Sequence, residues 1–105
     1  MRKRKITNSK NQWIDLDECT IIEGKCRYVN GNPIYYRTQE THMYNCLYVT
    51  ESGKFVEFTN YSAWGGRSIY NLLTDQEVVE WFNDNDFEVP DEFPHLKEIE
   101  NGLKI

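Results

Sequence analysis

All three cysteines of the chain, Cys19, Cys26 and Cys46, fall within 28 residues, together with His42, one of its two histidines. Three thiols and an imidazole are the ligand set of a tetrahedral zinc site, with donors about 2.0–2.3 Å from the ion. His42 and Cys46 have the three-residue gap of a zinc-finger ligand pair. Six residues separate Cys19 from Cys26, more than the usual two to four, so that pair is expected on neighbouring strands or a wide loop. His95, Glu18 or Glu40 is the alternative fourth ligand to His42. A closed four-ligand set leaves no position for water, so the expected Zn2+ is a structural staple and not a catalyst. The plainer reading of the same residues is three buried cysteines packed as small hydrophobes beside a surface histidine.

A nucleophilic thiol would need a base within hydrogen-bond reach and a third group to orient it. His42 is the candidate base for Cys46 or Cys26, but no family-type motif surrounds either. The chain also lacks a phosphate loop, a nucleophile elbow and a paired-carboxylate motif. It is therefore expected not to be an enzyme.

A second group of residues suits recognition. Tyr61, Trp64 and Arg67 lie in an aromatic, glycine-bearing stretch, and Trp and Arg are favoured interface anchors. Trp64 folded back into the core is the plainer alternative. Asp84, Asp86, Glu88, Asp91 and Glu92 form an acidic stretch downstream. The net charge of −5 is unevenly spread: five of the twelve basic residues are among the first ten positions. From Asp75 onward there are ten acids against two lysines. Long-range electrostatics then favours a basic partner surface for the C-terminal third and disfavours nucleic acid there. Solubility alone also accounts for such a surface.

The elements that must position these residues are read from local pattern. Residues 1–10 are a flexible basic arm, or an edge strand beginning at Lys5-Ile6-Thr7. Short strands follow around Trp13-Ile14-Asp15-Leu16, Cys19-Thr20-Ile21-Ile22 and residues 25–29, with Gly24 as a break. Asn30-Gly31-Asn32-Pro33 is a hairpin turn, since Asn-Gly supplies positive φ. Residues 34–38 form the returning strand. Residues 39–45 are a loop or one helical turn, and the turn would put His42 and Cys46 on one face. Residues 47–50 and 54–58 flank a second hairpin at Glu51-Ser52-Gly53, and residues 68–73 make a last strand. A helix over 74–83 opens with Thr74 and Glu77 at capping-box spacing, with Leu73 placed to staple against Val78. Val78, Val79, Trp81 and Phe82 lie toward one side of it. Residues 84–105 are expected to be an irregular acidic segment carrying Pro90 and Pro94, with a marginal short helix near 96–103.

The 105 residues leave room for one domain, 1–105, with a modest core. The expected fold class is α+β: an antiparallel sheet of about four to five strands packed by one main C-terminal helix, stapled by the zinc site. No apolar run approaches the ~20 residues needed to span a bilayer. The basic start leads into polar residues 7–12 instead of the apolar stretch of a signal peptide. With an odd cysteine count, this points to a reducing, cytoplasmic setting.

Several stretches between residues 47 and 93 resemble small proteins of phages and mobile elements of Gram-positive bacteria. They are Leu47-Tyr48-Val49-Thr50-Glu51-Ser52-Gly53-Lys54-Phe55, Trp64-Gly65-Gly66, Leu73-Thr74-Asp75-Gln76-Glu77 with Glu80-Trp81-Phe82, and Pro90-Asp91-Glu92-Phe93. The match covers a little under half of the chain. Some proteins of this kind are anti-CRISPR proteins. The resemblance implies an inhibitor that binds a type II RNA-guided DNA nuclease in the bacterial host and blocks DNA loading or cleavage. The alternative is a zinc-stabilised accessory or regulatory protein of a mobile element with another protein or nucleic-acid partner.

Overall fold

A computed structural model describes residues 1–61 and 65–105, so Trp64 lies outside the described residues. Its centre is a four-stranded antiparallel sheet. In chain order its strands are β3 (Thr20–Glu23), β6 (Met43–Val49), β7 (Phe55–Tyr61) and β8 (Arg67–Leu72), and they are neighbours in that same order. Two-stranded ribbons flank it: β1 (Lys3–Lys5) with β2 (Trp13–Asp15), and β4 (Cys26–Val29) with β5 (Asn32–Tyr35). Helices α1 (Asp75–Asp84) and α2 (Pro94–Gly102) complete the chain. The fold is α+β, as expected from the pattern of elements. Among the described residues no helix is long and apolar enough to cross a membrane.

Register assigns the two faces of the sheet, because directly opposed residues of antiparallel strands project to the same side. Leu47 opposes both Ile22 and Glu57, and Val49 opposes Phe55. On this face Leu47 and Phe55 join Val78, Val79, Trp81 and Phe82 of α1 and Leu96 of α2 in the main core. The other face carries Cys46, Phe58 and Tyr70 in one row and Tyr48, Val56 and Leu72 in the next. Aromatic rings run across it, with Phe58 4.8 Å from Tyr70 and 5.9 Å from Tyr44.

The turns follow their residues. Asn30 and Gly31 both have positive φ (53° and 80°), the type I′ geometry that suits a two-residue hairpin. Gly24 permits a close crossing, since a Cβ there would stand 2.6 Å from the Asn45 carbonyl oxygen.

Three expectations give way here. First, the chain start is no loose arm: the alternative, a strand, forms as β1, ending at Lys5 where it was expected to begin. Ile6 is buried with Ile14, Leu16 and Val56 in a second core, and Thr7 and Asn8 bond to β8. Second, residues 43–45 extend β6, and no helical turn forms there. Third, the short helix expected to be marginal near 96–103 is formed: after residues 85–93, which carry neither helix nor strand, as expected, α2 begins with Pro94 at its tolerated first position and buries Leu96 completely. Among the described residues the main helix is therefore joined by a second, and both bury apolar side chains against the sheet.

Candidate functional site

The five acidic residues singled out in the sequence fall at the end of α1 and in the connection to α2. The geometry of that connection starts at the helix end. Asp86 takes a left-handed φ of 57°, its N–H donates to the Asn83 carbonyl, and Phe87 N–H reaches back to the Phe82 carbonyl at 2.9 Å. This is a Schellman cap with aspartate at the position usually held by glycine. Asn85, wholly buried, fixes the turn twice. Its side-chain amide donates to the Trp81 carbonyl at 2.8 Å, and its oxygen accepts from Lys25 N–H at 2.9 Å.

Beyond the cap, inward and outward residues interleave. Phe87, Val89 and Phe93 pack against the main core, and Phe93 meets Phe55 edge-on at 5.1 Å. Val89 N–H donates to Glu100 of α2 at 2.8 Å. Between these anchors the carboxylates stand out, with side chains 83% exposed at Asp86, 82% at Glu88 and 99% at Asp91. Glu92 is exposed too. The result is a strip of carboxylates on a backbone held by its own apolar residues.

Several of these charges already have partners. Lys97 lies 3.0 Å from Glu88, 3.6 Å from Asp91 and 3.4 Å from Glu100. The hydrogen bond to Glu88 is the main reason its ammonium is held above the ordinary lysine range. Lys25 reaches Asp86 at 3.7 Å. Asp84 is different: it accepts from Arg37 at 2.5 Å, and Arg37 also forks onto Glu57 at 2.9 and 3.3 Å.

That fork belongs to a polar network under α1. Trp81 Nε1–H donates to Asn45 Oδ1 at 2.8 Å, and Asn45 Nδ2 donates to Glu57 at 2.9 Å and to Thr59 at 3.1 Å. Burial opposes the Arg37 charge, but Glu57 and Asp84 more than offset it and hold the guanidinium above its usual range. Sequence reasoning missed this group. One sign was present: Glu57 interrupts the apolar run Phe55-Val56-Glu57-Phe58, and an acid at an inward strand position requires a buried partner.

The zinc candidates do not converge. Cys46 is fully buried on the aromatic face of β6. Cys19 leaves a short 3-10 turn (Leu16–Glu18) and its thiol donates to the Asp15 carbonyl at 3.3 Å. Cys26 pairs with Tyr35 in the β4–β5 ribbon. His42 borders a cleft of about 200 Å³ with Pro33, Tyr35, Met43 and Tyr44. His42 lies just before β6 at a left-handed φ of 61°, and Cys46 lies within the strand, so the helical turn that would put the two on one face is not formed. His95 faces Asp75 across the helices at 3.9 Å. Among the described residues no three His, Cys, Asp or Glu side chains are grouped to hold a metal. The zinc expectation retains only its residue types as support.

Nor is Cys46 poised as a nucleophile. Burial pushes its thiol up to about 12, away from the thiolate that nucleophilic attack requires. Cys19 is also raised, first by burial and then by Asp15 and Glu18. Of the proposed anchors, Tyr61 and Arg67 are direct cross-strand partners at the far end of β7 and β8. Tyr61 is half-buried and Arg67 exposed.

No protein-family model matches the chain, and no curated protein or solved structure matches it significantly.

Proposed function

We propose that the chain is a non-enzymatic protein-binding module that inhibits a type II RNA-guided DNA nuclease by docking its acidic strip on a nucleic-acid-binding surface. The observation that carries the reading is the construction of that strip. Phe87, Val89 and Phe93 are anchored in the core, so Asp86, Glu88, Asp91 and Glu92 are displayed from a fixed backbone. Preorganised charges lose less conformational freedom on docking than those of a loose tail.

Such a nuclease holds nucleic acid in positively charged channels. Clustered lysines and arginines that accept phosphates also accept carboxylates, through the same charge-assisted hydrogen bonds. The existing pairs to Lys97 and Lys25 do not prevent this. Exposed ion pairs are worth about 0–1 kcal/mol, so a partner's arginines can displace them at little cost. Asp84 is the exception. Its bond to Arg37 joins the buried network, so its contribution is to position the strip. The resemblance of stretches between residues 47 and 93 to anti-CRISPR-containing phage proteins supplies the choice of nuclease.

The test is a binding and cleavage assay with the guide-loaded nuclease and its target duplex. The chain should co-elute with the nuclease and abolish cleavage, with the complex weakening as salt rises. Reversing Glu88, Asp91 and Glu92 to lysine should raise the inhibitory concentration at least tenfold while leaving the melting temperature within a few degrees. Absence of a complex, or inhibition untouched by the reversal, overturns the reading.

A further inference from the structure

A groove of about 780 Å³ lies between the β1–β2 ribbon, the Thr50-to-Lys54 turn and the end of β8. That volume is within the range of clefts that hold a small ligand or a few side chains. It is well separated along the chain from the acidic strip, and its lining includes none of the strip's residues.

The groove is built for a mixed guest. Its floor is apolar, formed by Ile6, Ile14, Val56 and Leu72, with the first three drawn from the second core. One wall is Trp13, which stays 47% exposed. Leaving so large an apolar surface wet forgoes burial energy that a partner could recover. Lys3 Nζ sits 4.8 Å from the indole centroid and steadies that wall. Asp15, Glu18 and Glu51 also line the groove, against Lys54 as the basic lining residue. All three carboxylates line the groove together with Cys19.

We propose that this groove is a second docking site, for a protein segment that places an apolar side chain beside a lysine or arginine. The apolar side chain would cover the exposed part of Trp13 and the half-buried Leu72. The neighbouring cation would meet the excess negative charge of Glu18 and Glu51. An apolar guest alone leaves those carboxylates to be desolvated without compensation, and a bare cation leaves Trp13 wet. The two requirements together select the guest. This site does not depend on the identity of the strip's partner.

Amide and indole NMR shifts of the full chain, titrated with defined peptides, test it. The probes are acetyl-Leu-Lys-Leu-Arg-amide, an analogue with glutamate for both basic residues, and an analogue with serine for both leucines. The first peptide should shift the Trp13 indole and the amides of Cys19, Glu51 and Lys54, and each analogue should bind at least tenfold more weakly. The double variant Glu18→Lys with Glu51→Lys should also lose at least tenfold in affinity for the first peptide. Both residues are exposed, so folding should be unaffected, and Trp13→Ala offers an independent check on the apolar wall. Equal binding by the glutamate or serine analogue overturns the proposal. So does a shift pattern centred on residues 84–92, or no binding at all. Nuclease inhibition plays no part in this readout, so the two proposals fail separately.

Discussion

The network beneath α1 turns on the part-buried Arg37–Glu57 pair, which Asp84 joins from its more exposed side. Arg37 and Glu57 side chains are 23% and 10% exposed, and Asn45 links the pair to Trp81. Removing one partner leaves a buried charge without compensation, whereas removing both removes the problem. Arg37→Gln is expected to lower the unfolding free energy in urea by about 2–4 kcal/mol. Arg37→Met with Glu57→Leu should cost less than Arg37→Gln alone, despite changing more atoms. Cys46 permits a chemical check on the same core. Its thiol, pushed up to about 12 by burial, should resist a thiol reagent at pH 8 until denaturant is added, while the half-buried Cys19 and Cys26 react first. Residue types alone made these positions difficult to interpret. The four candidate zinc ligands differ little from buried hydrophobes until the backbone places them, and the partners of Glu57 are 12 and 20 residues away.

Local elements were legible where their signals are local. The Thr74 capping box is present as its spacing implies, with Thr74 accepting from Glu77 N–H and Glu77 accepting from Thr74 N–H. Asn30-Gly31 and Gly53 turn the chain where their positive φ allows. The Met43 end of β6 was not legible, because its polar residues become strand-like only through partners on β7 and α1. Nor was α2 clear: it has no side-chain N-cap, and tertiary burial of Leu96 supports it. Two expectations follow at this scale. Bonds to the Thr74 backbone, then to its side chain, hold the Glu77 carboxyl below its usual 4.5. A carboxylate lowered by folding stabilises above its unfolded pKa, and that contribution is lost as pH falls through the folded value. The stability difference between wild type and Glu77→Gln, read from urea midpoints, should therefore be larger at pH 7 than at pH 3. Asp86→Gly relieves the left-handed strain at the Schellman position and should raise stability by about 0.5–1 kcal/mol. It also removes one exposed carboxylate of the strip.

Across the whole molecule, the charge asymmetry visible in the sequence becomes an organised surface only through apolar anchoring. Phe87, Val89 and Phe93 convert an acidic run into a strip, and the interleaving of these residues with acids was already visible in Asp86-Phe87-Glu88-Val89. The groove was invisible in the sequence, because it joins residues from both ends of the first two-thirds of the chain. Strand β8 is an edge of the main sheet, and an open edge is a template on which another chain can add a strand. Here Thr7 N–H bonds the Tyr70 carbonyl and Thr7 Oγ1 accepts from Tyr70 N–H. Asn8 serves Leu72 in the same way, its side-chain amide donating at 3.0 Å and its oxygen accepting at 2.8 Å. One backbone N–H and two side chains thus imitate a stretch of neighbouring strand. Thr7→Val with Asn8→Leu should unmask Tyr70 N–H and both backbone groups of Leu72, while the backbone N–H of residue 7 stays on the Tyr70 carbonyl. Sedimentation should then show stronger concentration-dependent self-association than the wild type, making Thr7 and Asn8 a guard against polymerisation.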